Sequence, residues 1–278
     1  MKFVFNFAQI KRQLLFILML IPALSGAYPS RYAAVILDYR TGHVLHAINP
    51  NAPRYPASLT KMMTLYMVFD ALETGRLSLN QALPVSQHAA SREPSKLGLR
   101  AGQTITVRNA ILAMVTHSAN DVATVVAEAL GQGSERRFGR LMTRRAHQIG
   151  MVNSSFCNAS GLPEPCQVST AYDMAKLARA IIITYPQYYH YFQIRQFAYR
   201  GAIYGSHNHM LGRYPGVDGL KTGFCRASGF NIATSMKRGG TRLVGVVMGL
   251  PSAHARDTHM ARLLNNTFQL YPSLAAAE

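Results

Sequence analysis

The sequence lacks the residue patterns that most often bind metal ions. It contains no His-x-x-x-His and no paired Cys-x-x-Cys motif, although it has 10 histidines and 3 cysteines. Zinc sites are usually built from such closely spaced ligands. We therefore predict neither a metal site nor another cofactor.

Internal repeats and low-complexity segments are also absent. With 278 residues, 49% of them hydrophobic, the chain can form one sizeable domain or two small ones around a continuous core. The longest apolar run near the amino end, residues 14–21, is short for a bilayer span of roughly 20 residues. Basic residues precede this run and Ser25-Gly26-Ala27 follows it, which predicts a cleaved secretory signal over residues 1–27. We therefore expect a mature chain from about Tyr28, exported to the periplasm or cell envelope.

Acidic residues are scarce, with 12 Asp and Glu against 29 Lys and Arg and a formal net charge of +17. Removal of the signal subtracts three basic residues and leaves 17 − 3 = +14. No run of five or more basic residues occurs, and Arg136-Arg137, Arg144-Arg145 and Lys237-Arg238 are only pairs, which usually mark solvated faces. We therefore predict no nucleic-acid partner. For an exported protein the charge favours peripheral association with anionic envelope surfaces, either polymers or lipid headgroups.

Three cysteines are an odd number for an oxidising compartment. Cys157 and Cys166 flank a segment rich in Gly and Pro, and a disulfide between them would close a small loop. Cys225 would then be unpaired, and we interpret it as a small buried residue rather than a reactive thiol.

Three short motifs carry the chemical signal of this sequence. They are Ser58-Leu59-Thr60-Lys61, Ser118-Ala119-Asn120 and Lys221-Thr222-Gly223. A serine hydroxyl is a poor nucleophile until a base takes its proton, and a lysine three residues later on a helix projects from the same face. Each motif is weak alone, but their order along one chain indicates serine acyl-transfer chemistry.

A second Ser-x-Asn match, at Ser206 and Asn208, lies only 13 residues before Lys221. That spacing is too short to supply a separate wall of a cleft, so Ser118 is the preferred residue. Ser95 and the histidines are interpreted as loop or surface residues.

The secondary-structure pattern places strands at both ends of the chain and helices between them. Strands are predicted at residues 33–38, 43–48, 218–224, 230–236 and 243–250, and helices at 58–74, 107–115, 121–130, 135–149, 170–183 and 253–270. The simplest fold is of the α/β class (α+β type), with one antiparallel sheet built from both chain ends and flanked by helices. We expect an inserted all-helical subdomain over about residues 66–205 and a single domain over 28–278. The three motifs would then meet in a cleft between the two parts.

Around these motifs the chain resembles the D-alanyl-D-alanine carboxypeptidases of the low-molecular-mass penicillin-binding proteins. The similarity is closest over residues 56–64, 117–121 and 216–223, and weaker similarity covers nearly all of residues 30–270. The resemblance implies a β-lactamase/transpeptidase-like fold. It also implies an enzyme that removes the terminal D-alanine from peptidoglycan stem peptides through an acyl-enzyme and that is acylated by β-lactams.

The resemblance assigns roles to the catalytic residues. Ser58 would be the nucleophile and Lys61 its general base, which must be neutral. Burial and the charge of Lys221 would both lower the pKa of Lys61. Ser118, linked to Lys221, would relay a proton to the leaving amine, and Asn120 would hold the backbone of the acylated peptide.

The resemblance also implies how the substrate is bound. Backbone N–H groups of Ser58 and Phe224 would form the oxyanion hole, and Gly223 would leave room for the substrate along its strand. Thr222 and Arg256 would bind the free carboxylate that a carboxypeptidase has to recognise. Many relatives carry a basic residue in an Asn-Arg-Asn sequence where this chain has Ser206-His207-Asn208, so this auxiliary contact is not predicted.

Three alternatives stay open. A serine β-lactamase uses the same motifs, but Glu164 is followed three positions later by Gln167 instead of asparagine, and Ala119 stands where those enzymes favour aspartate. A D,D-endopeptidase or transpeptidase would differ only in the outer walls of the cleft. An inactive peptidoglycan-binding protein would not need intact motifs. The chain ends eight residues after Leu270, so we expect no carboxyl-terminal β-rich domain or anchor helix of the kind that many relatives carry.

Overall fold

The computed structural model describes residues 31–270, so the predicted signal over residues 1–27 lies outside the described residues. The strands are β1 (Ala33–Asp38), β2 (Val44–Ile48), β3 (Ala82–Pro84), β4 (Thr104–Thr106), β5 (Gln196–Tyr199), β6 (Ala202–Gly205), β7 (Val217–Cys225), β8 (Gly229–Arg238) and β9 (Thr241–Leu250). The α-helices are α1 (Thr60–Glu73), α2 (Gln87–Ala90), α3 (Val107–Val115), α4 (Asn120–Leu130), α5 (Glu135–Gln148), α6 (Ala171–Thr184) and α7 (Ala253–Leu270). None of the helices within residues 31–270 is long and apolar enough to cross a membrane.

One five-stranded antiparallel sheet forms the centre of the fold, in the order β2-β1-β9-β8-β7. The amino-terminal strand β1 pairs with the carboxyl-terminal strand β9, and Ala33 lies opposite Met248. Gly239 and Gly240, both with positive φ, form the two-residue turn between β8 and β9. The predicted fold class, with a sheet made from both chain ends, is confirmed.

The central sheet is covered by apolar layers on both faces. Every residue of β1 is buried, which requires cover on either side of the strand. Val35 joins the apolar core on the side of the inserted helices, whereas its neighbour Ile36 joins the core that contains Met260 of α7. The alternation along β1 therefore places α7 on one face and the inserted segment on the other.

The inserted segment between β2 and β7 is mainly helical. Thr106, Ser134 and Thr170 cap α3, α5 and α6, each through a side-chain oxygen that accepts a backbone N–H three residues on. The segment also contains two small antiparallel sheets, β3–β4 and β5–β6, and a 3-10 helix at Pro186–Gln193. The prediction that the insertion is all-helical is therefore wrong at these two sheets, because strands of three or four residues contain too few alternations to be recognised in the sequence.

Three parts of this fold meet at one point. A 3-10 turn, Ala57–Leu59, leads into α1, whose residues are mostly buried. The connection between α3 and α4 carries the second motif, and β7, at the edge of the central sheet, carries the third. The edge position leaves one side of β7 without a neighbouring strand in the sheet.

Candidate active site

The three sequence motifs converge on a cleft of about 500 Å³ between β7 and the inserted helices. Residues of the predicted site that line it are Ser58, Ser118, Asn120, Thr222, Gly223, Phe224 and Arg256. Lys61 and Lys221 lie below its surface, with 0% and 1% of their area exposed. The order of the three motifs in the sequence predicted that they would meet, and the fold brings them together from three separate elements.

Lys61 lies against the hydroxyl of Ser58. Its Nζ is 3.2 Å from Ser58 Oγ, and it also donates to Asn120 Oδ1 at 2.7 Å and to the carbonyl of Ser160 at 2.6 Å. A neutral amine has two hydrogens and one lone pair. When both hydrogens point to the two carbonyl oxygens, the lone pair is left for the proton of Ser58.

The environment favours this neutral form of Lys61. Burial, and then the positive charge of Lys221, hold the pKa of Lys61 well below its ordinary value, while Asp121 and Glu135 raise it by less. Burial and the nearby charge of Arg256 lower the pKa of Lys221 to about 7. An unprotonated lysine beside Ser58 is therefore available much closer to neutral pH than an exposed lysine would be.

Ser118 does not make the predicted link to Lys221. Its backbone has φ of 61° and its buried hydroxyl has no hydrogen-bond partner among residues 31–270. Lys221 Nζ donates instead to the carbonyl of Thr222, the next residue of β7, at 3.0 Å. The Ser118 hydroxyl thus lines the cleft with its hydrogen-bonding capacity unused by described residues.

Asn120 has a structural task besides the predicted contact with the substrate. Its Oδ1 accepts from Lys61, and its Nδ2 donates to the carbonyl of Glu93 at 2.9 Å. Its backbone N–H donates to the carbonyl of Ser95 at 2.7 Å. These bonds fix the amide orientation, so that its oxygen faces Lys61 and one Nδ2 hydrogen remains for a ligand.

Gly223 is required by a close approach of two backbones. A Cβ at this position would lie 2.9 Å from the backbone nitrogen of Ser58, 3.1 Å from that of Leu59 and 3.1 Å from the carbonyl oxygen of Pro56. The sequence prediction attributed this glycine to space for the substrate. The structure shows that its first effect is to let β7 lie against the turn that carries Ser58.

The resemblance implies acylation by penicillin with the N–H of Phe224 as an oxyanion donor, and on that basis we expect Gly223→Ala to lower the acylation rate by about 10²–10³-fold, the range measured when one such donor is lost. The added methyl group would push β7 away from Ser58 and so displace the N–H of Phe224. Gly205→Ala is the matched control, because a Cβ at Gly205 meets nothing within 4 Å. The measurement is the second-order acylation rate, with thermal melting as a check on folding. An unchanged rate in Gly223→Ala would show that the close approach is not needed.

Arg256 faces the cleft from α7. Its side chain is buried, its Nε donates to Asp257 Oδ1 at 2.8 Å, and its Nη2 has no hydrogen-bond partner among the described residues. Nη2 does lie 2.8 Å from the same Asp257 oxygen, but this contact lacks hydrogen-bond alignment. Thr222 lines the same cleft, in which Arg256 offers an unused donor to an anionic ligand.

A loop that the sequence did not assign to the site supplies the carbonyl acceptor of Lys61. Cys157 and Cys166 are joined by a disulfide, which was the pairing considered from the sequence, and their Cα atoms are 6.0 Å apart. Ser160 lies inside this closed loop, and Gly161 beside it lines the cleft. A backbone carbonyl has no signature in sequence, so its role could not have been predicted.

Gln167 fastens this loop to the helix of the nucleophile. Its Nε2 donates to Thr60 Oγ1 at 2.8 Å, and its Oε1 accepts from the backbone N–H groups of Cys157 and Asn158 at 2.8 and 3.2 Å. Gln167 therefore ties the loop directly to the residue next to Lys61.

The disulfide loop also contains the cluster most suited to a metal ion among the described residues. One ligand atom from each of Cys157, Glu164 and Cys166 lies within 4.8 Å of the others. Both sulfur atoms are in the disulfide and provide no thiolate. Glu164 accepts a hydrogen bond from Asn158 and does not line the cleft.

Cys225, predicted as buried, is half-buried and lines the cleft.

Ser95, His207 and His209 form a further part of the cleft wall. Their positions in loops were predicted, but their contribution to the cleft was not. Burial, and then the charge of Lys221, lower the pKa of His207 to about 4, so it is neutral at pH 7. The second Ser-x-Asn match is a local turn, in which Ser206 Oγ accepts the backbone N–H of Asn208.

Comparison with known proteins gives matches over most of the chain. The family model described as D-alanyl-D-alanine carboxypeptidase matches residues 29–252. The chain is 32% identical over 248 residues to D-alanyl-D-alanine carboxypeptidase DacF of Bacillus subtilis, an alignment covering 86% of this chain and 62% of that protein. The chain spans about three fifths of the length of the curated relatives it matches.

Solved structures match as well. Penicillin binding protein 5 from Haemophilus influenzae superposes with a TM-score of 0.82 at 31% identity, covering 85% of this chain and 70% of that one. Penicillin-binding protein D2 from Listeria monocytogenes, in its cefotaxime-bound form, gives a TM-score of 0.77 at 30% identity and covers 85% and 96%. The predicted transpeptidase-like fold is confirmed by these neighbours.

Proposed function

The chain belongs to the D-alanyl-D-alanine carboxypeptidase family, and from that premise we propose that it is a serine-type D,D-carboxypeptidase. Its substrate would be the peptidoglycan stem peptide, from which it removes the terminal D-alanine. The observation that carries this proposal is the geometry of Lys61, whose Nζ lies 3.2 Å from Ser58 Oγ and faces two carbonyl acceptors.

The proposed reaction begins when Ser58 Oγ attacks the carbonyl between the two D-alanines and Lys61 takes its proton. Backbone N–H groups of Ser58 and Phe224 donate to the oxyanion. Collapse of this intermediate breaks the C–N bond, and Ser118 relays the proton from Lys61 to the leaving amine. Water then hydrolyses the ester and restores Ser58.

Substrate recognition in this proposal relies on the edge strand and on positive charge. An extended peptide can add to the unpaired side of β7, as peptides do at exposed sheet edges. Its free carboxylate would lie between Thr222 and the unused Nη2 of Arg256. Lys221 adds positive charge beneath the same position, which stabilises an anionic ligand.

The composition of the cleft favours a carboxypeptidase over a β-lactamase. No Asp or Glu from the described part of the chain lines it. Rapid hydrolysis of a penicilloyl ester needs a base for the attacking water, and Glu164 is directed to Asn158 instead. Slow deacylation fits an enzyme that β-lactams inhibit. The cefotaxime-bound state of the Listeria protein supports β-lactam acylation as part of this proposal.

Localisation follows from the same proposal. A cell-wall peptidase has to be exported, which agrees with the signal predicted over residues 1–27. The net charge, +17 for the full chain and 17 − 3 = +14 without residues 1–27, also supports peripheral association with an anionic envelope surface.

The test compares a pentapeptide that ends in D-Ala-D-Ala with the same peptide ending in a carboxamide. We expect the free acid to lose one D-alanine, as read by mass, and the amide to react slowly. Arg256→Gln should slow the reaction of the free-acid peptide, so that its rate comes closer to that of the amide. Arg262→Gln, an exposed position on the same helix, is the matched control.

Other products would support the alternatives. Rapid turnover of penicillin without release of D-alanine would identify a β-lactamase. Cleavage restricted to cross-linked dimers would identify an endopeptidase. Binding of peptidoglycan with neither product nor penicillin adduct would identify an inactive binding protein.

A further inference from the structure

Helix α5 presents a row of arginines on its outer face. Arg136, Arg137, Arg140 and Arg144 are all exposed. At 3.6 residues per turn these four side chains fall within an arc of about 100°, and the row is roughly 12 Å long. In sequence they are scattered as pairs and single residues, but the helical period collects them into one surface, which we call the arginine face.

Within residues 31–270 the arginine face has no hydrogen-bonded or ion-paired acidic partner, although Arg136 lines a surface cavity together with Glu128, Glu135 and Glu164. None of its four side chains makes a hydrogen bond or ion pair with any residue in 31–270. The helix has one acidic residue, Glu135, whose buried Oε1 accepts from Thr124 and from the N–H of Ala159. Arg145, on the other side of α5, is paired with Asp70 at 2.8 Å. The paired arginine, Arg145, therefore lies on the side of α5 that faces the protein, whereas the four unpaired arginines lie on the exposed side.

We propose that the arginine face binds the surface of an anionic lipid bilayer through its phosphate headgroups. The arginine face would then be the part of the protein that makes the peripheral contact with the envelope. Binding through this face does not depend on the proposed hydrolase activity. Guanidinium groups bind phosphates through paired N–H donors. The row lies on the exposed face of α5 and is roughly 12 Å long, so a flat array of phosphates can contact all four side chains, whereas a compact ligand contacts one or two.

The chemistry of the face predicts an electrostatic contact. The exposed large apolar side chains of the described residues are Val44, Val152, Ile183, Ile203, Phe224 and Leu270, and none of them lies on α5. The helix would thus rest on the headgroups without inserting into the acyl chains. Such binding weakens with salt, because the Debye length falls to about 3 Å at 1 M.

The test is sedimentation of the full chain with vesicles of phosphatidylglycerol and phosphatidylcholine, compared with phosphatidylcholine alone. The triple variant Arg136→Gln, Arg140→Gln, Arg144→Gln should bind the anionic vesicles about 10²-fold more weakly. The control triple Arg100→Gln, Arg108→Gln, Arg213→Gln removes the same charge from exposed positions outside α5 and should lose much less. All proteins carry the same residues 1–30, so the comparison isolates the arginines.

Acylation by penicillin is measured on the same samples and should be unchanged in both triples, which separates this inference from the hydrolase proposal. If the triple does not fold, Arg140→Glu gives the same comparison with one side chain. If the two triple variants lost the same affinity for anionic vesicles, the inference would be overturned, because binding would then depend only on net charge. If the α5 triple variant lost binding to a soluble polyanion such as heparin but still bound vesicles, the inference would be overturned, and the ligand of the arginine face would be an anionic polymer.

Discussion

Replacing Ser58 with alanine is expected to abolish covalent labelling of the chain by penicillin. The wild-type chain should gain the mass of one opened β-lactam, because Ser58 Oγ is the hydroxyl next to Lys61 Nζ. Alanine has no atom that can form the ester, so the variant should show no adduct even after long incubation. Intact-mass spectrometry makes the measurement.

Two further serine variants make this result specific. Ser118 also lines the cleft, and Ser118→Ala should slow labelling without removing it. Ser91 is exposed and its hydroxyl donates to the carbonyl of His88, so Ser91→Ala should label at the wild-type rate. An adduct that persists in Ser58→Ala and disappears in Ser118→Ala would assign the nucleophile to the other motif.

Replacing Lys61 with arginine should lower the acylation rate at neutral pH by about 10²–10⁴-fold, the usual contribution of a positioned general base. Arginine keeps its charge and its hydrogen-bonding capacity but does not give up its proton in proteins. The variant therefore separates a proton acceptor from a residue that only contributes charge. Thermal melting checks that the larger side chain is accommodated at a fully buried position.

The pH dependence gives a second readout for Lys61. Wild-type acylation should rise with pH as Lys61 loses its proton, and it should level off at a lower pH than the titration of an exposed lysine would give, because burial and Lys221 lower the pKa of Lys61. Lys61→Arg should lack this rise, whereas the exposed control Lys237→Arg should keep it. Rapid acylation of Lys61→Arg at pH 7 would require another residue to activate Ser58.

The residues proposed to react were predictable because their spacing is fixed by helix and strand geometry. Ser58 and Lys61 are one helical turn apart, and this relation holds in any fold that keeps the helix. The contact between Lys61 and the carbonyl of Ser160 was not predictable, because it joins a helix to a loop nearly 100 positions later through a backbone atom. The same applies to Lys221, whose hydrogen bond goes to the backbone of its neighbour instead of to Ser118.

Glycine and arginine positions show a different limit of sequence reasoning. Gly223 was identified as important, but its reason, the approach of the backbone at Ser58, depends on how two distant elements pack. The arginines of α5 were recognised as pairs, although their common direction follows from the helical period. In both cases the residue type was visible, and its partner or its direction became clear only in three dimensions.

The pairing of β1 with β9 has a consequence for the order of folding. Ala33 and Met248 are 248 − 33 = 215 positions apart, so the central sheet closes only after β9 has been made. Contacts within the inserted helices are closer in sequence and can form earlier, because closing a longer loop costs more entropy. Ser58 follows β2 and Lys221 lies in β7, so both belong to the long segment between β1 and β9 that this pairing closes. Labelling by penicillin should therefore report closure of the central sheet, and a product truncated before β9 should remain unlabelled however much helix it contains.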